Sequence, residues 1–238
     1  MIVIRSHFFT VAFVIWSTLV ALAMLPLALT PPEAMFRGLR LWVRGISALL
    51  RWICGIRVEI RGAEYLPHGA ALIAAKHQCT FDALAPIYLL PRPILIAKRE
   101  LARIPLYGWY VLRSGLAMAI DRGGQAKALR SLIVAGKKAL AENRQIVIFP
   151  EGTRSAIGAP PDYKPGIAAL YAQLQAPCIP LATNAGAHWL AEGSLRKPGV
   201  IVFEFLPPIA PGLKREDFMR ELERRLEPAC DRLIAEGI

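Results

Sequence analysis

Hydrophobic and polar positions along this 238-residue chain follow three different patterns. From Phe8 to Leu29 the chain carries no formal charge, and only Thr10, Ser17 and Thr18 are polar. A helix of that length spans about 33 Å, enough to cross a hydrocarbon core of roughly 30 Å. A cleaved signal peptide would have a shorter apolar core and a small-x-small cleavage site, which is not seen. Pro26, Pro31 and Pro32 then interrupt it, and a second helix is predicted over about 33–54. On a helical wheel Arg37, Arg40, Arg44 and Arg51 fall within about 60° of one another. Leu39, Trp42, Val43, Ile46, Leu49, Leu50 and Ile53 lie opposite. Such a helix is expected to lie in an interface, apolar face down, with its arginines toward lipid phosphates. The alternative is an ordinary amphipathic helix packed on the domain. Residues 1–54 therefore read as a two-helix membrane module, and 55–238 as the body.

The body alternates short apolar runs with helical periods. Ile56–Ile60 alternates like a half-buried strand, and Ala71–Ala75 is a short apolar run ending at Lys76 and His77. Pro93–Ala97, Leu116–Ile120, Gln145–Phe149, Ala176–Ala182 and Val200–Phe205 are further strand candidates. Helices are predicted over Phe81–Leu90, Gln125–Glu142 and Gly166–Gln175, and a solvated one over Lys214–Glu236 with Phe218, Leu222, Leu226 and Leu233 as its stripe. This order predicts an α/β domain with a mostly parallel sheet flanked by helices. Functional residues in such folds gather at strand C-termini.

Composition changes the picture by adding charge to grease. Hydrophobic residues make up 55% and charged residues 20%, yet the formal net charge is +11. Residues 1–62 hold seven bases and two acids, 63–213 sixteen and nine, and 214–238 six and seven. The body is thus basic in its own right, as a protein handling an anionic substrate should be. Greasy and basic together point to an anionic membrane surface and not to nucleic acid; three of five tryptophans lie in the first 52 residues. If the first helix spans, Arg5 against four downstream arginines puts the body on the cytoplasmic side. Cys54, Cys79, Cys178 and Cys230 lack disulfide or metal spacing and read as reduced thiols. No phosphate loop of the GxxxxGK[ST] type, GxGxxG after a strand, GxSxG elbow or paired metal-ligand histidines occur, so nucleotide cofactors and metals are not expected.

Chemistry concentrates at the end of the second strand, Lys76-His77-Gln78-Cys79-Thr80-Phe81-Asp82. His77 and Asp82 cannot share a helical face, but they meet if His77 sits in the turn and Asp82 in the first helical turn, with Thr80 as N-cap. Asp82 would then hold one imidazole nitrogen and leave the other as a general base. Three cations stand at other strand ends: Lys98, Arg122 and, within Phe149–Ser155 (FPEGTRS), Arg154. They suggest a site that holds a phosphate while a base acts on a nearby hydroxyl, with Gly152 permitting the tight turn. Cys79 beside His77 raises the alternative of a thiol nucleophile and an acyl-enzyme.

Over residues 56–210 the chain resembles the glycerolipid acyltransferases, most closely those that acylate 1-acyl-sn-glycerol 3-phosphate. The motifs are His77 with Asp82, KREL with Gly115–Arg122, FPEGTRS with Tyr163–Gly166, and Cys178–Gly186. The family's usual Asn before the histidine is Lys76 here, and its usual Ser is Cys79. The resemblance implies direct transfer of an acyl group from acyl-CoA or acyl carrier protein to the sn-2 hydroxyl of a membrane lysophosphatidate, giving phosphatidic acid. It implies His77 and Asp82 as catalytic, and Glu151, Gly152, Thr153 and Arg154, helped by Lys98 and Arg122, as the phosphate site. It implies no metal and no cofactor, at the inner membrane's cytoplasmic side.

Overall fold

Apolar runs that lack alternation need cover on both faces, and the inner strands have it. The computed structural model describes residues 1–98, 104, 106–120, 125–190 and 195–237. Among them, seven strands form one sheet: β1 (Ile56–Arg61), β2 (Ala71–Ala75), β3 (Pro93–Lys98), β4 (Ala117–Ile120), β5 (Gln145–Ile148), β6 (Cys178–Thr183) and β7 (Gly199–Phe205). Their spatial order is β1-β7-β6-β2-β5-β3-β4, and every pairing is parallel except β6 with β7. Every residue of β2, β5 and β6 is buried. Along β2, Ala71, Ile73 and Ala75 face one core, and Leu72 and Ala74 face the other. The expected α/β class and strand list therefore hold, with boundaries shifted by one or two residues.

Helices cover both faces. One core holds α1 (Ile2–Ala23), α2 (Pro32–Leu49), α3 (Thr80–Leu84), α4 (Pro86–Leu89) and part of α5 (Tyr107–Arg113). The other holds α6 (Gln125–Ala141), α7 (Gly166–Leu174) and α9 (Arg215–Ala235), while α8 (Ala185–His188) follows β6. The single helix expected over Phe81–Leu90 is two, because Pro86 brings no N–H and starts a new helix as its first-turn residue.

The N-terminal segment differs from expectation in a way that matters. The apolar helix begins at Ile2, earlier than the uncharged run, and ends at Ala23 before a 3₁₀ turn over Leu25–Leu29. It then folds back on α2, which runs on through a π turn, Leu50–Cys54. The apolar face of α2 does not lie free for an interface: Met35, Leu39, Trp42, Val43 and Ile46 are buried in the same core as β2 and β7. Burying that stripe against protein removes it from water as effectively as lipid would. Trp16 donates its indole N–H to the Trp42 carbonyl at 2.9 Å, and Trp42 donates to Ser17 Oγ at 2.9 Å. Of the four arginines, Arg37, Arg44 and Arg51 are exposed. Arg40 instead donates to the Ile87, Leu90 and Pro91 carbonyls, satisfying the open end of α4.

Helix α1 is tied to the body as well. Ser6 Oγ accepts from the Arg196 N–H at 2.9 Å, and Tyr110 donates to the Ala21 carbonyl at 2.6 Å. Its outer face keeps Phe8, Val11, Ile15, Leu19 and Leu22, each more than half exposed, three or four residues apart. This helix is the one candidate membrane segment among the described residues.

Gly45 on α2 marks where the two helices touch. A Cβ there would stand 2.2 Å from the Trp16 ring, closer than packed atoms come. Gly45→Val should cost about 1–3 kcal/mol, several degrees in the Tm of detergent-solubilised protein, by prising α1 from α2.

Candidate active site

Two neighbouring parallel strands bring the candidate residues together. Ala74 of β2 pairs with Ile148 of β5, so three residues further on His77 and Glu151 leave the sheet side by side. The loop after β5 is bonded directly to the histidine turn: the Ser155 N–H donates to the His77 carbonyl at 2.8 Å.

Asp82 sits at the third position of α3, as expected, but the N-cap is Cys79 and not Thr80. Cys79 has the extended backbone that a cap requires, and Thr80 is already helical and exposed. Asp82 reaches back and accepts from the Gln78 N–H at 2.5 Å and the Cys79 N–H at 2.7 Å, both at Oδ2. These two bonds hold a carboxylate that is 2% exposed. The imidazole Nδ1 of His77 stands 3.6 Å from the same oxygen. That nitrogen is buried and has no hydrogen-bond partner among the described residues. Closing the gap needs a shift of under an ångström, the kind that substrate binding supplies. The ring itself stacks on Phe149, with centroids 4.3 Å apart.

Cys79 is fully buried, and burial together with the Asp82 carboxylate pushes its thiol well above the usual range. It stays a thiol at neutral pH, a poor nucleophile with no path to a substrate. Its role is to start the helix that carries Asp82.

The FPEGTRS loop divides between exposed and buried residues. Gly152 (φ +66°), Thr153 and Arg154 are exposed, and Arg154 makes no ion pair with a described residue. Glu151 is different: it is 3% exposed and accepts from Lys76 Nζ at 2.7 Å and Ser155 Oγ at 3.0 Å. A buried carboxylate so engaged has no means of binding a phosphate, so Glu151 supports the loop that carries Arg154. Strand β3 ends at Lys98, whose side chain lies outside the described residues, as does Arg122, two residues past the end of β4.

Several functional neighbours went unseen in the sequence. Lys76 is 4% exposed and lies between Glu151 and Glu227 of α9, with both Glu227 oxygens 2.9 Å from Nζ. Burial alone would lower its pKa, but the two carboxylates outweigh burial and raise it. Tyr163 donates to Glu227, and burial with that carboxylate raises its own pKa. Helix α9 is thus more than a solvated tail. Gln78 accepts from the Gly186 N–H at 3.0 Å, and Asn184 bridges β7 through the Val200 carbonyl and the Val202 N–H. The Cys178–Gly186 motif therefore buttresses the histidine turn. A lysine immediately after a wholly apolar strand was the one signal for this network.

A family model described as Acyltransferase matches residues 57–184. The 1-acyl-sn-glycerol-3-phosphate acyltransferase of Pseudomonas aeruginosa is 32% identical over 82% of this chain and 76% of its own. The protein of the same name from Limnanthes alba is 33% identical over 81% of this chain and 69% of its own. The chain belongs to this acyltransferase family. In fold it matches the 1-acyl-sn-glycerophosphate acyltransferase PlsC of Thermotoga maritima, with a TM-score of 0.80 over 99% of this chain and 98% of that one at 22% identity.

Asp82→Asn keeps an oxygen for the two backbone N–H groups but loses the charge facing His77. It should stay folded by circular dichroism while kcat falls about 10²–10⁴-fold. Cys79→Ser, which keeps a capping side chain, should retain activity, and iodoacetamide should leave the folded wild type active.

Proposed function

We propose that this chain transfers an acyl group from a thioester to the sn-2 hydroxyl of a lysophosphatidate, giving phosphatidic acid. The observation that carries the reading is the bond from the Ser155 N–H to the His77 carbonyl, which ties an exposed arginine loop to the histidine beside Asp82. The relatives from P. aeruginosa and L. alba, named for acylation of this acceptor, support it.

In this reading His77 Nε2 takes the proton of the acceptor hydroxyl as its oxygen attacks the thioester carbon. The tetrahedral intermediate collapses, the C–S bond breaks, and the leaving thiolate recovers the proton from the imidazolium. Asp82 holds the Nδ1–H and stabilises the imidazolium meanwhile. Arg154, with Thr153 and the backbone at Gly152, holds the acceptor phosphate, and Lys98 and Arg122 add positive charge from neighbouring strand ends. The donor is acyl-CoA or acyl carrier protein. A thioester is already activated, so the reaction calls for neither metal nor cofactor. The exposed face of α1, with Arg37, Arg44 and Arg51, rests on the cytoplasmic side of the inner membrane, where acceptor and product both reside.

Detergent-purified protein should acylate lysophosphatidate from acyl-CoA, and His77→Ala should abolish the reaction. Arg154→Ala should raise the acceptor KM about tenfold or more while monoacylglycerol, which has no phosphate, is unaffected. A panel in which no lysophospholipid is acylated would sink the proposal.

A further inference from the structure

Lys76 and His77 are consecutive, yet their side chains go to opposite faces of the sheet. His77 stacks on Phe149, beside the core that holds α1 and α2. Lys76 points to the other face and meets α9. A buried lysine is costly unless its charge is matched, and here it is matched twice over, by Glu151 and by both oxygens of Glu227. The two carboxylates belong to different parts of the protein. Glu151 is the base of the loop that presents Arg154, and Glu227 lies on the last helix, partly open to a polar cavity of about 300 Å³ between residues 156–161 and α9.

We propose that Lys76 is a positioning residue for acceptor binding: it neutralises the buried Glu151 behind the phosphate loop, and Glu227 of α9 keeps its ammonium there. The proposal rests on the reading of Arg154 as the phosphate ligand. Glu151 Oε1 takes the ammonium and Oε2 takes the Ser155 hydroxyl, so one carboxylate fixes both ends of the segment 151–155 in which Arg154 sits. Without Lys76 that carboxylate would be a bare buried charge directly behind an anion site. It would repel the acceptor phosphate, and it would relax by leaving its pocket, which moves Arg154. Glu227 withstands loss of the lysine better, because Tyr163 donates to it and it borders the polar cavity. The last helix thereby sets the acceptor site from the far side of the sheet, with no contact to the substrate.

Steady-state kinetics of the full-length protein in detergent, with lysophosphatidate and acyl-CoA varied separately, test this. Lys76→Met should raise the acceptor KM about tenfold or more and leave the donor KM within about twofold. The double variant Lys76→Met/Glu151→Gln removes the orphaned charge, while the glutamine can still accept from Ser155; it should recover most of the acceptor affinity. Glu227→Gln, at a partly exposed position, should raise the acceptor KM several-fold and serves as the deciding variant if Lys76→Met does not fold. A purely structural lysine would instead lower kcat through loss of active protein, with both KM values unchanged, and the double variant would be no better than the single. That pattern, or an unchanged acceptor KM in Glu227→Gln, overturns the proposal. Arg154→Ala measured alongside separates the two readings. If it leaves the acceptor KM unchanged, the phosphate assignment fails and this proposal with it; if it raises the KM and Lys76→Met does not, only the lysine's role fails.

Discussion

The site depends on the register between two parallel strands, β2 and β5. Because Ala74 lies opposite Ile148, the turns that follow emerge together, one with His77 and Asp82, the other with Glu151 and Arg154. Each turn carries a buried carboxylate, and a carboxylate out of water must find donors or give up its charge. Asp82 finds two backbone N–H groups of its own turn; Glu151 finds Lys76 and Ser155. Those demands shape the loops. The Ser155 N–H bond to the His77 carbonyl then joins the two turns, and with them the backbone that carries His77 and the exposed Arg154.

One short segment both joins the packed core and keeps an exposed apolar face. Helix α1 does so by having two apolar faces. The inner one carries Phe9, whose ring meets Trp189 edge-on at 5.5 Å, and the outer one carries Phe8, Val11, Ile15, Leu19 and Leu22. Beyond its first two turns, which carry Arg5 and His7, the helix is apolar on both sides, as burial on one face and an exposed apolar stripe on the other require. Helix α2 divides the work differently, with its stripe in the core and three of its arginines outward. Its fourth, Arg40, ends α4 by taking up carbonyls that the short helix leaves open, among them that of Ile87, which Pro91 has no N–H to meet. Since both helices share a core with β2 and β7, attachment of the N-terminal segment and order in the sheet are mechanically linked.

Much of this was legible in the residues. Apolar runs mark the inner strands because a doubly covered sheet needs no polar face, alternation marks the edge strand β1, and the His77–Asp82 spacing marks a strand-to-helix turn because no helix could bring the two together. The limits of the apolar helix are harder to read, since the uncharged run Phe8–Leu29 does not mark them: the helix runs from Ile2, through Arg5 and His7, to Ala23. The stripe on α2 was read correctly as a face, but its covering was not, because lipid and protein offer an apolar side chain the same relief from water. The cap at Cys79 was missed because residue preference favours threonine, whereas the cap is decided by which residue Asp82 reaches at its third position.

What the sequence determined by itself, then, is the set of strands and the strand-to-helix turn that brings His77 to Asp82. These are local: each follows from side-chain spacing or from which residue types stand where a strand stops. Tertiary structure alone decided the partners of the charges. Glu151 of the FPEGTRS loop is turned inward by Lys76, and Lys76 is held by Glu227, which lies 151 residues away in the chain. No local pattern encodes such a pair, because the match of a buried charge is set by what the fold packs against it.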